Sequence, residues 1–185
     1  MSVSGTRSST EPRHVVLVGL MGSGKTTTGE ILARRLGRPL FDSDRLVEAQ
    51  TGRTVREIFE ADGEDAYRTL ETAALLDALA AGEPAVIAAA GGVVIREENR
   101  RALRDADALV VWLRADLGVL TDRATAGTHR PLLDRDPAGM MAAMARDRDA
   151  WYREVADTVV DTTDRPPEEV AGEIVALLEG DGAAP

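Results

Sequence analysis

Cysteine is absent from this chain of 185 residues. That excludes a disulfide framework, a thiolate metal site and a cysteine nucleophile, and it fits a reducing, cytoplasmic setting. Aromatic residues make up only 3% of the chain, so the core has to be aliphatic. Long hydrophobic runs are missing too. The longest uncharged apolar stretch, Ala85 to Ile95, falls far short of the ~20 residues of a membrane-spanning helix. The polar N-terminus MSVSGTRSSTEP has no apolar centre for a secretory signal. Positive charge is in deficit: 22 basic residues face 32 acidic ones, a formal net charge of -10. A surface this acidic argues against nucleic acid and anionic membranes as partners, although it leaves room for a local basic pocket that takes a small anion.

What is present is a folded composition, 44% hydrophobic and 29% charged. The length suits one domain with a sizeable core. Its expected extent is residues 13–179, with loose tails at 1–12 and 180–185, and a monomer is the expected state. Short aliphatic runs at His14 to Gly19, Pro39 to Asp44, Ala85 to Ala90, Ala108 to Leu113 and Thr158 to Asp161 read as strands. Between them lie helical patterns at Lys25 to Leu36, Arg45 to Gln50, Val55 to Ala61, Glu64 to Ala80, Glu97 to Arg104, Asp116 to Thr125 and Ala138 to Val155. In the long fourth helix, Leu70, Ala73, Ala74 and Leu76 are expected on the inner side. A last helix opens at Pro166-Pro167, a favoured place for proline, with Glu168 and Glu169 suited to its N-terminus. Strands alternating with helices imply an α/β fold: a three-layer α/β/α sandwich around a five-stranded parallel sheet. Ala126 to Pro137 breaks the pattern with Gly, Pro and charge, and reads as a mobile surface loop.

The chemistry starts where the first strand ends. Gly19-Leu20-Met21-Gly22-Ser23-Gly24-Lys25-Thr26 fits G-x-x-x-x-G-K-[ST] between a predicted strand and a predicted helix. Glycines let the backbone curl its N–H groups around phosphate oxygens, and the helix adds its positive end. Lys25 can reach the β- and γ-phosphates, and the Thr26 hydroxyl can hold Mg²⁺. Asp42 and Asp44 stand two apart at the end of the second strand and are expected to point to the same side. One carboxylate could serve the metal and the other a substrate hydroxyl; an Asp here also suits the cap of the helix that follows. Arg68 and Glu71, three apart on a helix, share a face. They form either a solvated salt bridge or an arginine held in one pose to grip an anion bidentately. Gly91-Gly92 is either a turn or a place where the backbone approaches a ligand.

In this order the motifs resemble the shikimate kinase family, small P-loop kinases related to the nucleoside monophosphate kinases. The resemblance spans about Val15 to Leu178. FDSD at 41–44, IFEADGEDAYRTLE at 58–71, the double glycine, RPLL at 130–133 and RDAWYREVAD at 148–157 carry it beyond the generic phosphate loop. It implies a P-loop NTPase fold with a mobile lid over about 126–137, and phosphoryl transfer from ATP, with Mg²⁺, to shikimate. It implies ATP contacts by Gly22, Ser23, Gly24, Lys25, Thr26 and Thr27, and metal support by Thr26 and Asp42. By the same resemblance Asp44 takes the acceptor hydroxyls, while Arg68 and Arg148 take the acceptor carboxylate. Glu71 orients Arg68, and Phe59, Gly91 and Gly92 line the acceptor pocket. Arg123 packs on the adenine, and the lid residue Arg130 reaches the transferring phosphates. Lys25, Asp44 and Arg130 form the implied catalytic set.

Three places depart from the family pattern: Ala90 stands where a third glycine is usual, Ala150-Trp151 replaces Pro-Leu, and Tyr67 replaces phenylalanine. Trp151 reads as core. His14 reads as a strand start and His129 as exposed. A guanine-reading N-K-x-D element, which a signalling GTPase would need, is missing from the sequence. The remaining alternative is a P-loop kinase for another small hydroxy acid such as gluconate, or a shikimate-kinase-like paralogue of altered substrate.

Overall fold

The computed structural model describes residues 13–126 and 136–180. Five strands, β1 (His14–Val18), β2 (Leu40–Asp42), β3 (Val86–Ala88), β4 (Ala108–Arg114) and β5 (Thr158–Asp161), form one sheet in the order β2-β3-β1-β4-β5. Every pairing is parallel, with Val16 opposite Ile87 on one side and Val110 on the other. The helices are α1 (Lys25–Leu36), α2 (Ser43–Thr51), α3 (Val55–Asp62), α4 (Glu64–Leu79), α5 (Glu97–Asp105), α6 (Leu117–Ala126), α7 (Pro137–Val155) and α8 (Pro167–Gly180). This is the P-loop NTPase sheet. With β1 in the middle, the chain leaves it toward one edge and later crosses to the other. The crevice beyond the carboxyl ends of the strands therefore opens at β1, where α/β sheets hold ligands.

The uninterrupted apolar run of β1 is explained by its two faces. Val15 and Leu17 pack with Ile31 and Leu32 of α1 and with Val170 and Ile174 of α8. Val16 and Val18 face the other way, onto Leu75, Leu103, Met141 and Tyr152 from α4, α5 and α7. A third cluster, Val47, Ile58, Tyr67 and Ala74, ties α2, α3 and α4 into a small lobe beside the sheet. His14 opens β1 as expected and accepts the Ala85 N–H on its Nδ1.

Several boundaries differ from the sequence expectation. The second and third strands are shorter, because only Leu40–Asp42 and Val86–Ala88 find ladder partners. Ser43 and Asp44 are already helical, since the Asp42 side chain accepts the Arg45 N–H and starts α2 there. A short 3-10 turn at Val93–Ile95 follows the double glycine where no element was expected. On α4, Ala73 and Leu76 point outward, Leu76 with 45% of its surface exposed. Ala74 is buried as expected and Leu70 packs partly against the lobe, while Tyr67, Arg68, Glu71, Leu75 and Ala78 complete an inner stripe that is polar at its first turns. Gly180 belongs to α8 rather than to a tail. Of the expected lid, Ala126 ends α6 and Pro137 begins α7, whose N-terminus is capped by Asp136 through the Gly139 N–H. Residues 127–135, with His129 and Arg130, lie outside the described residues.

Candidate active site

The loop from Gly19 to Gly24 turns from β1 into α1 around glycines whose φ values L side chains rarely adopt. Gly22 has φ +83°, and a methyl there would sit 2.5 Å from the Leu120 carbonyl oxygen of α6. Gly24, at φ +89°, is the N-cap of α1 and leaves the first N–H groups of the helix open toward the crevice. Lys25 is the chain's only lysine. Its Nζ donates to the carbonyls of Gly19 (2.7 Å) and Leu20 (2.9 Å), which folds the ammonium back over the loop.

A cavity of about 410 Å³ opens against this loop. Gly22 to Thr27, Asp42, Asp44, Ala90, Gly91 and Arg123 all contribute to its wall. The Thr26 hydroxyl donates to Asp42 Oδ2 at 2.7 Å, so its lone pairs are directed away from Asp42. The other Asp42 oxygen caps α2; the capping and metal readings of this residue are thus compatible. Asp44 does not reach the cavity as a strand neighbour of Asp42. It arrives from the first turn of α2, one residue past the point where the backbone leaves the sheet.

Arg68 and Glu71 decide between their two readings by burial. The side chains are 7% and 1% exposed, far too enclosed for a solvated pair. Arg68 Nη1 donates to both Glu71 oxygens at 3.0 Å. Its Nε and Nη2 both donate to Glu64 Oε1, at 3.2 and 2.8 Å. Burial alone would pull the guanidinium pKa down, but the two carboxylates outweigh it and raise the value, so Arg68 stays charged. Burial pushes the Glu71 carboxyl upward, with Arg68 pulling against it. A charged fork held on both sides has one pose to offer an incoming anion.

The double glycine is the seam between the two halves of the site. A methyl on Gly92 would lie 1.8 Å from Arg68 Nη1, so the guanidinium rests directly on the bare backbone. One residue earlier, a methyl on Gly91 would come within 3.4 Å of Gly19 O and Met21 N in the phosphate loop. The Gly91 carbonyl is fixed by two donors from α7, the Tyr152 hydroxyl at 2.5 Å and Arg148 Nη1 at 3.1 Å. Tyr152 is itself stacked on Trp112 of β4, with centroids 5.6 Å apart. Phe59 stands on the lobe side, its ring 4.9 Å from that of Tyr67 and 6.0 Å from the Arg68 guanidinium. Arg123 lies at the far rim, where it donates to the carbonyls of Thr162 and Thr163 and ties α6 to the turn after β5. Trp151 is half-buried beside the core, under the Arg100 guanidinium.

Of the sequence-selected residues, Gly22 to Thr27, Asp42, Asp44, Gly91 and Arg123 line the cavity, whereas Phe59, Arg68, Glu71, Gly92 and Arg148 lie outside its wall and adjoin it across the Gly91-Gly92 backbone. The structure adds Glu64, Tyr152 and the Tyr67 hydroxyl, which sequence reasoning did not assign. Tyr152 had a visible signal, its four-residue spacing from Arg148 on one helix. Glu64 had the same relation to Arg68. Among the described residues, no group of three or more His, Cys, Asp or Glu side chains is arranged to hold a metal by itself.

Comparison with known proteins shows the family and the fold. The family model for shikimate kinase matches residues 21–179. A shikimate kinase of Symbiobacterium thermophilum is 48% identical over 172 residues, covering 91% of this chain and 98% of the relative. The solved shikimate kinase of Acinetobacter baumannii in complex with shikimate superposes with a TM-score of 0.89 at 34% identity, over 94% of this chain and 96% of that one. A gluconokinase of Sinorhizobium meliloti reaches a TM-score of 0.62 at 22% identity, over 91% of this chain and 93% of that one, a likeness of fold alone. With the family model spanning nearly all of the folded chain, and relatives this similar over their full length, the chain belongs to the shikimate kinase family.

Proposed function

We propose that this site transfers the γ-phosphoryl group of ATP, with Mg²⁺, to a hydroxyl of shikimate, giving shikimate 3-phosphate and ADP. The observation that carries the reading is the seam at Gly91-Gly92, which sets a phosphate loop and a buried, pinned arginine against two successive residues. A phosphoryl donor and an acidic acceptor can then meet across one stretch of backbone.

Phosphoryl transfer needs positioning and charge neutralisation more than covalent help from the protein. The backbone N–H groups from Gly22 to Thr27 cradle the phosphates. Lys25 exchanges its two carbonyl partners for phosphate oxygens and neutralises charge that moves during transfer. Thr26 and Asp42 suit Mg²⁺, which prefers oxygen donors, takes few of them from protein and keeps waters and phosphate oxygens for the rest. Bound there, the ion offsets negative charge on the β- and γ-phosphates. Asp44 accepts a hydrogen bond from the acceptor hydroxyl and orients it toward phosphorus. Arg68, joined by Arg148, takes the acceptor carboxylate, Glu71 holds Arg68 in place, and Phe59 closes the apolar side. Arg123 faces the base, and the family resemblance assigns the transferring phosphates to Arg130, which lies outside the described residues.

The test is ADP release from the purified protein with MgATP and either shikimate, gluconate or a nucleoside monophosphate. Release with shikimate alone is expected. Release with gluconate or a nucleotide and none with shikimate would refute the assignment.

A further inference from the structure

Tyr67 stands where the family resemblance leads one to expect phenylalanine, so its hydroxyl is an addition to the usual side chain. That hydroxyl donates to Asp44 Oδ1 at 2.5 Å, across the gap between α4 and α2. The phenol has no freedom to do otherwise. Tyr67 is 3% exposed, sealed among Val47, Ile58 and Ala74, with its ring against Phe59 and under the Arg68 guanidinium at 5.4 Å. Asp44, by contrast, is half-buried and lines the phosphate cavity. Among the described residues, Tyr67 is the one side chain that holds it.

We infer that Tyr67 is a positioning residue for the transfer step: its hydroxyl clamps one oxygen of Asp44, so that the carboxylate presents the other to the acceptor hydroxyl in a fixed orientation. This inference rests on the proposed role of Asp44. Two anchors then fix the Asp44 side chain. Its backbone is held in the first turn of α2, started by the Asp42 cap, and its carboxylate is held by the phenol. Burial, aided by the negative charge of Asp44, pushes the phenol pKa far up, so the hydroxyl remains a donor throughout the working pH range. A carboxylate on the wall of an open cavity would otherwise sample several rotamers, and few of these would meet a substrate hydroxyl in line with the phosphoryl group. Small losses of alignment at reacting atoms are expensive in rate. The clamp acts on orientation, so its loss should appear in turnover more than in binding.

The test is Tyr67→Phe, which keeps the ring and removes one oxygen. Turnover at saturating MgATP and shikimate should fall about tenfold, the scale on which a loosened reacting group slows chemistry. The KM for ATP and for shikimate should each stay within about twofold, since neither ground-state contact is removed. A packing role alone would lower stability, which urea unfolding reads separately, and would leave this split between kcat and KM unmoved. The second arm is the same substitution in an Asp44→Ala background, where it should change turnover no further. Unchanged turnover in Tyr67→Phe, or an equal loss with and without Asp44, would overturn the inference. Wild-type protein that fails to phosphorylate shikimate would overturn the functional reading instead, so the two failures are distinguishable.

Discussion

Replacing Gly92 by alanine tests the seam most directly. The backbone there has φ -95° and ψ -2°, a conformation alanine adopts without strain, so the change acts only through its methyl group. That methyl would lie 1.8 Å from Arg68 Nη1 and 2.2 Å from Cζ, and the guanidinium must leave. Leaving breaks the bonds from Nη1 to both Glu71 oxygens and strands a carboxylate that is 1% exposed. Removing one partner of a buried ion pair costs about 3–5 kcal/mol. Arg68 is displaced rather than deleted, and the half-exposed Glu64 can follow it, so about 2–3 kcal/mol is expected here. For a chain of this size that lowers Tm by roughly 5–10 °C. If the acceptor carboxylate depends on the same pose of Arg68, its KM should rise about 30–150-fold, the same energy expressed as affinity. The KM for ATP should hardly change. Thermal unfolding and steady-state ADP release measure both effects. The control is Gly92→Ala in an Arg68→Ala background, where the three atoms that the methyl would strike are gone and it should cost under about 0.5 kcal/mol. Equal losses in both backgrounds would refute the argument that the glycine exists to seat the arginine.

Other outcomes follow from the same geometry. Lys25→Ala should lower kcat by roughly 10²–10³-fold or more while leaving the urea midpoint nearly unchanged, because the ammonium serves charge in transfer rather than the core; near-normal ADP release from the folded variant would sink the phosphate-loop mechanism. Glu64→Gln should lower the shikimate KM severalfold with kcat unchanged, because Glu64 occupies the Nε–Nη2 edge of Arg68 that an incoming carboxylate would use; a raised KM would show that Glu64 supports binding instead. The Thr163 backbone N–H donates to Asp161 and holds its carboxyl below the usual range. The folded value is depressed, so the stability it adds is present above the unfolded carboxylate pKa and is lost as pH falls through the folded value. The stability gap between wild type and Asp161→Asn should therefore be widest near neutral pH and narrow as pH falls below the ordinary carboxylate range. A gap independent of pH in urea unfolding would contradict the assignment.

The sheet was legible because its strands are buried on both faces and so read as aliphatic runs between helical patterns. α1, bracketed by Gly24 and Gly37, was legible to the residue. The phosphate loop was legible because its chemistry is local in sequence. Arg68 and Glu71 were recognisable as a pair, yet their burial was not, since it depends on Gly92 arriving from another element. Leu76 misled because an apolar residue on a helix was assumed to face inward, whereas the inward stripe of α4 begins with Tyr67, Arg68 and Glu71. Asp44 reads as a strand residue because FDSD offers two aspartates suited to a cap, and the sequence does not say that Asp42 is the one that ends the strand. The Tyr67–Asp44 contact joins residues 23 apart and had no sequence signal beyond an unexpected hydroxyl.

A chain whose only lysine sits in its phosphate loop has an unusual relation to amine chemistry. Acylating or aldehyde reagents find a single side-chain target, together with the α-amine. That target is half-buried and must release the Gly19 and Leu20 carbonyls before it can react. Coupling confined to the α-amine would tether the protein and leave the loop untouched, whereas a reagent that reaches Lys25 becomes a titrant of the phosphate seat, and bound nucleotide should shield it. Within this sequence, acylation of a lysine side chain has only one address, and it would remove the positive charge that the proposed mechanism gives to phosphoryl transfer.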